Sequence, residues 1–316
     1  MLTDDVLVSI LLRVDITTTA RASALSTRWR NLPWLLPELS IDVTDFLPIP
    51  SPNPIEVGQT DHAMTSITKA TRSLLSKPRN ESAITSLHLN IYLLNSFSCE
   101  IGSLLSNAID NGILKGLDLV ILDEKEPSDC LDEEMLQKAQ DVNGFFIAYP
   151  SVLVCLTKLS LYNVCFAKWD IHHVLFDCCK QLKHIAFFHC DAGHRSLWKI
   201  DAPNSNVSVL EFYSCCFEKL EVVCLPKLEM LHWDTWTSHH SPLSFGFVPS
   251  LKELHLLCGA THHHKGFNLS ELLSGTSGIH TLTLDFQGEK VIISSFCFTI
   301  ILGSGKFPSC FYIQLD

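Results

Sequence analysis

Between Leu182 and Trp236 the chain writes apolar-x-x-apolar-x-apolar three times: Leu182/Ile185/Phe187, Val207/Leu210/Phe212 and Leu228/Leu231/Trp233. Alternation puts the last two apolar positions of each copy on one face of a short strand. A lone strand of this length cannot bury that face, so neighbouring copies must stack. In the first two copies a cysteine, Cys190 or Cys215, follows three residues after the last apolar position. The chain turns off the strand there, and a small polar side chain can hydrogen-bond backbone groups inside the turn.

The same frame extends both ways. Upstream it picks out Ile84/Leu87/Leu89, Leu114/Leu117/Leu119 and Leu156/Leu159/Leu161; downstream, Leu251/Leu254/Leu256 and Ile279/Leu282/Leu284. Copies start about 21 to 30 residues apart, with one interval of about 42, which is close to the leucine-rich-repeat range. The predicted fold class is α/β: a leucine-rich-repeat solenoid with parallel strands on its concave face. The competing reading is an ordinary α/β domain with parallel strands. Residues alternating with the buried ones should face the open side. One such column runs Asn90, Val120, Tyr162, Phe188, Tyr213, Asp234, Leu257, Asp285; the other runs His88, Asp118, Ser160, Ala186, Glu211, His232, His255, Thr283. Tyr162, Phe188 and Tyr213, with Glu211, His232 and Asp234 beside them, are the candidate target-binding residues. They suit a partner with apolar anchors and a basic group. The competing reading is that the rings merely pack on one another.

Other periodic stretches flank or join the repeats. Val6, Leu7, Ile10, Leu11 and Val14 have helical spacing, with Thr3 or Asp4 as N-cap. A second helix is predicted over roughly 20–29, ending near Pro33. Pro48, Pro50, Pro52 and Pro54 mark a linker that runs to Thr60, and 61–76 regains helical period as a cap for the first repeat. Between repeats, Ile101, Leu104, Leu105, Ala108 and Ile109 form one helical face. Ile171, Val174, Leu175 and Cys178 form another, after Asp170 as N-cap. The acidic insertion Asp123–Met135 reads as a solvated loop. The segment after Lys290 is apolar and poor in charge, a poor closing cap by polarity.

Composition narrows the function classes. The 316 residues are 47% hydrophobic, the mark of a folded chain, and carry a net charge of −11. That charge argues against general binding to nucleic acid or anionic membrane. Asp4 and Asp5 occupy the place of a basic signal-peptide region, and the longest apolar run, 291–302, is too short to span a bilayer. The expected location is cytoplasmic or nuclear, with the 13 cysteines reduced. His262–His264 are consecutive and cannot converge on one tetrahedral ion, and the Cys178–Cys179 and Cys215–Cys216 pairs lack zinc or thioredoxin spacing. No GxSxG, P-loop or GxGxxG occurs. No metal or cofactor is expected, and the chain is expected not to be an enzyme.

Leu2, the DDVL of Asp4–Leu7, Ile10–Leu11 and LSTRWRNL at Leu25–Leu32 resemble an F-box. LPELSIDVTDF (Leu36–Phe46), IDAPNSNV (Ile200–Val207), LPKLEML (Leu225–Leu231), FVPSLKELHL (Phe247–Leu256) and HTLTLDFQGEK (His280–Lys290) resemble plant F-box/leucine-rich-repeat proteins. Thr3 stands where that family has Pro, and the chain begins almost on the motif. The resemblance implies an F-box over 1–47, a linker and capping helix over 48–83, repeats over 84–290 and a divergent tail over 291–316. It implies a substrate-recognition subunit of an SCF-type ubiquitin ligase. A Skp-type adaptor, and through it a cullin–RING complex, would bind Leu2, Val6, Leu7, Ile10, Leu11, Leu25, Arg28 and Trp29, and a target protein would bind the repeats. The alternative is an adaptor-independent leucine-rich-repeat scaffold or decoy.

Overall fold

A computed structural model describes residues 4–11, 13–14, 18, 26, 28–48, 57–76, 83–193, 196–236, 243–258, 267–268, 273, 276, 278–285, 291–292, 299–302 and 310–314. The chain divides into two compact units: Met1–Cys130 with Gln140–Leu159, and Leu131–Ala139 with Ser160–Asp316.

In the first unit, α1 (Asp4–Leu11) packs on a 3₁₀ turn, Trp29–Leu35. Leu7 and Leu11, four apart, supply its buried stripe. The predicted second helix, 20–29, lies mostly outside the described residues; the 3₁₀ turn runs through Pro33, near which that helix was expected to end. A turn built on i→i+3 bonds avoids the i−4 carbonyl that a proline ring meets in an α-helix. Three parallel strands follow in the order β1 (Glu38–Asp42), β2 (Ser86–Tyr92), β3 (Leu117–Leu122). Leu39 pairs with Leu87 and Ile41 with Leu89, which pairs in turn with Leu119. The sheet therefore begins one strand before the first repeat read from the sequence.

Helix α2 (Val57–Leu75) starts four residues earlier than its periodicity predicts, inside the expected linker. It buries Ala63, Met64, Ile67, Thr71, Leu74 and Leu75 and packs on β1, β2 and α3 (Asn95–Asp110). Of the predicted face of α3, Ile101, Leu105 and Ala108 are buried and Leu104 and Ile109 half-buried.

The acidic insertion is only partly a loop, which corrects the reading of Asp123–Met135. Pro127–Asp129 is a 3₁₀ turn, and Asp132, Glu133 and Glu134 are the first turn of α4 (Asp132–Ala148). Three carboxylates favour the positive end of a helix, and Glu134 Oε2 accepts from the Leu131 amide at 3.1 Å. Helix α4 passes from the second unit to the first, α5 (Pro150–Cys155) follows, and β4 (Leu156–Tyr162) passes back into the second.

The second unit holds β5 (His184–Phe188), β6 (Leu197–Asp201), β7 (Val209–Tyr213), β8 (Lys219–Cys224), β9 (Met230–Trp236), β10 (Leu243–Phe247) and β11 (Glu253–Cys258). After them come β12 (Phe267–Asn268), β13 (Thr281–Asp285), β14 (Val291–Ile292), β15 (Thr299–Leu302) and β16 (Cys310–Gln314). The main sheet runs β5-β7-β9-β11-β13-β16-β15, parallel through β13. Past Lys290, β16 adds antiparallel to β13 and β15 to β16, so the apolar tail pairs onto the sheet.

The limbs that return after β5 are strands: β10-β8-β6 form a second parallel sheet. Trp198, Ile200, Leu220, Val222 and Leu243 point inward from it. Trp198 fills the core between Phe187, Phe212 and Phe217, with ring centroids 5.6 to 5.8 Å away. The limb before β5 is different. Asp170 caps it as expected, accepting from the His173 amide at 3.1 Å, but His173–Cys178 is a π-helix. The wider turn buries Ile171, Leu175, Phe176 and Cys179, and leaves Cys178, expected on the buried face, half-buried.

Candidate protein-interaction surfaces

Strand register in the second unit brings the candidate target residues together. Phe188 pairs with Tyr213 and Tyr213 with Asp234; Ala186 pairs with Glu211, Glu211 with His232 and His232 with His255. Tyr162 and Phe188 stack with ring centroids 4.2 Å apart and planes 4° from parallel; Phe188 and Tyr213 stack at 4.6 Å and 6°. These separations approach the spacing between paired strands, about 4.8 Å, so each ring stands directly over the next. Tyr213 then meets the His232 ring at 4.8 Å, and His232 meets His255 at 5.9 Å.

Stacking decides which part of each ring is presented. Both faces of Phe188 are covered by its neighbours, and so is one face of each tyrosine. What remains outward is edge, the electropositive part of an aromatic ring. A cation finds both faces of Phe188 occupied, so the carboxylates are the stronger partner for the basic anchor expected from the sequence. The open face of the second unit is also uneven: Ser160, Ala186 and Thr283 lie on it yet are buried. Ser160 and Ala186 are short and sit two residues before the tall rings of Tyr162 and Phe188.

Glu211 is the polar centre of the surface. One carboxylate oxygen meets His184 Nε2 at 2.5 Å, and the other accepts from the Tyr213 hydroxyl at 3.1 Å. Burial, followed by the charge of Glu211, pushes the Tyr213 hydroxyl up to about 12. His232 lies below its usual range, chiefly through burial and then through His255, against the opposing pull of Asp234 and Glu211. Its Nε2 finds no hydrogen-bond partner among the described residues. His255 Nδ1 lies 2.9 Å from Thr283 Oγ1. Asp234 Oδ1 accepts from Thr235 Oγ1 at 2.8 Å. In the first unit the corresponding column pairs His88 with Asp118. The hydrogen bond to His88, helped by one from Thr157, holds Asp118 below the usual carboxylate range.

The rings are held by a corner that hydropathy did not reveal. Asn163, His189, Ser214 and Thr235, each one residue past the ring column, have φ of 52°, 52°, 50° and 60°. The left-handed turn lets the amides of Asn163, His189 and Ser214 bond the carbonyls of Phe188, Tyr213 and Asp234 at 2.9, 2.8 and 3.1 Å. Polar residues at one position of four successive repeats, Asn163, His189, Ser214 and Thr235, were the available signal, and Asn and His among them are enriched in this conformation. Behind the corner, Cys190 Sγ donates to the Leu161 and Phe188 carbonyls, and Cys215 Sγ to those of Phe187 and Tyr213, all at 3.4 to 3.5 Å. Those are the turn groups expected to need such a partner. Burial pushes the Cys190 thiol up to about 12 and Cys215 well above the ordinary value.

Residues 142–270 match the family model described as FBD-associated F-box protein At5g56370, LRR repeats. This part of the chain is similar to a leucine-rich-repeat segment. The match runs from within α4 past β12 and includes every candidate target residue. No curated protein matches the chain, and no solved structure does.

Away from the matched segment, α1 divides its apolar residues. Leu7 and Leu11 are buried, while Val6 and Ile10 are 42% and 44% exposed. Of the residues assigned to the adaptor on this helix, Leu7 and Leu11 face inward, and Val6 and Ile10 offer apolar surface. Arg28 and Trp29 are half-buried, and Leu2 and Leu25 lie outside the described residues. The His262–His264 run also lies outside them. Among the described residues no cluster of His, Cys, Asp and Glu has the makings of a metal site, and no helix is long and apolar enough to cross a membrane.

Proposed function

We propose that the protein is a substrate-recognition subunit of an SCF-type ubiquitin ligase. Its N-terminal segment acts as an F-box that binds a Skp-type adaptor, and its repeats form a solenoid whose concave face holds a target protein. The observation that carries this reading is the match of residues 142–270 to repeats of an F-box protein. Exposed Val6 and Ile10 on α1 support it, because apolar side chains one turn apart on a short helix are the kind of surface a partner covers. The chain itself carries out no chemistry in this scheme. It raises the local concentration of target near a transferring enzyme, in the cytoplasm or nucleus.

The target docks apolar side chains across the edges of Tyr162, Phe188 and Tyr213. Any basic group it carries competes with His184 and the Tyr213 hydroxyl for Glu211.

Co-expression of the full chain with a plant Skp-type adaptor tests the first half. The wild type is expected to co-purify with the adaptor, and Val6→Asp with Ile10→Asp to lose it while keeping its circular dichroism, since both side chains are already in solvent. A folded wild type that binds no adaptor would overturn the ligase reading in favour of an adaptor-independent scaffold. For the second half, Tyr162→Ala with Tyr213→Ala should abolish capture of any target that the wild type holds. Undiminished capture by the folded double variant would remove the ring surface from the account.

A further inference from the structure

The π-helix His173–Cys178 aligns three side chains that the repeat architecture does not use. Asp177 Oδ2 lies 3.0 Å from His173 Nδ1, and Cys178 Sγ lies 3.6 Å from His173 Nε2. A carboxylate thus holds one imidazole nitrogen while the other points at a thiol. That is the relation of orienting group, base and nucleophile. The helix type makes it possible. A π turn closes from i to i+5, so residues 173, 177 and 178 share one side. In an α-helix at 3.6 residues per turn, position 178 would lie about 140° round from 173.

The surroundings leave the group accessible. The His173 and Asp177 side chains are 62% and 59% exposed, and Cys178 is half-buried. The neighbouring His172 is committed elsewhere: its Nε2 accepts from the Asp201 amide at 3.2 Å and its ring packs on Phe176. Asp170 is occupied as the N-cap. The other cysteines of this region differ. Cys179, Cys190 and Cys215 are buried, and burial raises all three thiols. Cys99, Cys130, Cys216 and Cys224 also reach the surface and serve as comparison thiols for the pairing of Cys178 with His173.

We propose that Cys178 is a thiol-modification site, activated by His173 and Asp177, that takes low-molecular-weight disulfides. His173 Nε2 accepts the thiol proton. The Cys178 sulfur attacks one sulfur of the incoming disulfide, an S–S bond forms to Cys178, and the original S–S bond breaks. The departing thiolate carries off the proton from His173. One disulfide is consumed and one mixed disulfide is made, with no further oxidant. Disulfide exchange needs no oxyanion donors, only an accessible thiol beside a base, which is what this surface offers.

The test treats the reduced full-length protein with oxidised glutathione and follows each cysteine by peptide mass mapping over time. Cys178 is expected to react about tenfold or more faster than Cys99, Cys130 or Cys224. His173→Gln should slow Cys178 by a similar factor and leave the other cysteines at their wild-type rates, which reports in the same sample that the fold is kept. Asp177→Asn should give a smaller slowing. If Cys178 reacts no faster than Cys99 and Cys130, or if His173→Gln leaves its rate unchanged, the proposal is wrong.

Discussion

Single residues carry the open face of the second unit through two linked devices, a stack of rings and a left-handed corner behind it. The ring column was legible because a period of two fixes which side chains share a face, and the repeat frame fixes which residues pair. The stack was not, because ring orientation depends on rotamers and neighbours. The corner gives the residue-scale prediction. Ser214 sits at φ 50°, where an L side chain crowds its own carbonyl and a β-branched one crowds it most. Its amide bonds the Asp234 carbonyl, so the backbone cannot relax without losing that link. Ser214→Val should cost about 2 kcal/mol in urea unfolding, whereas Ser214→Gly should stay within about 0.5 kcal/mol of wild type. A valine variant as stable as the glycine variant would mean that the corner is free to rearrange.

Elements followed their periodicity where one face alone is buried. Helices α2 and α3 place their apolar stripes inward, and the strands of both units have the buried residues the repeat frame names. The misses have physical causes. The returning strands β6, β8 and β10 are short, and their alternation, as in Trp198 and Ile200, is only two positions deep. The acidic run that opens α4 looks like a solvated loop by charge, yet the same carboxylates favour a helix start. Glycine separates propensity from packing here. Gly144 lies on the exposed side of α4 with nothing within 4 Å of an added Cβ. A Cβ on Gly116, just before β3, would come 2.6 Å from the Thr85 carbonyl oxygen, while the Gly116 carbonyl accepts from Leu87. Gly144→Ala should therefore raise stability by about 0.5–1 kcal/mol, and Gly116→Ala should lower it by about 2 kcal/mol, both read from urea midpoints. Equal shifts would show that the Gly116 approach is not tight.

At the scale of the whole molecule, a repeated core is written as a repeated apolar pattern, which is why the parallel strands and the likeness of 142–270 to leucine-rich repeats were readable while no target was. Target choice resides in the side chains between the buried ones, which no folding constraint fixes. Among them is a half-buried histidine whose ionisation should be visible in global stability. His232 lies below the ordinary histidine value of 6.5, first through burial and then through His255. It takes its proton more readily once unfolded, so its contribution to stability is present above pH 6.5 and is lost as pH falls below that value. A second effect opposes this one. The chain carries a net charge of −11 at pH 7, and acidification relieves that self-repulsion. The midpoint of the wild type alone cannot separate the two. His232→Phe keeps a ring against Tyr213 and His255 but removes the proton site. Urea midpoints of both proteins, taken between about pH 7.5 and 5, should diverge as pH falls, with the wild type losing ground to the variant. Parallel curves would place no titration at His232, and a wild type that gains on the variant would mean that Glu211 and Asp234 outweigh burial at this position.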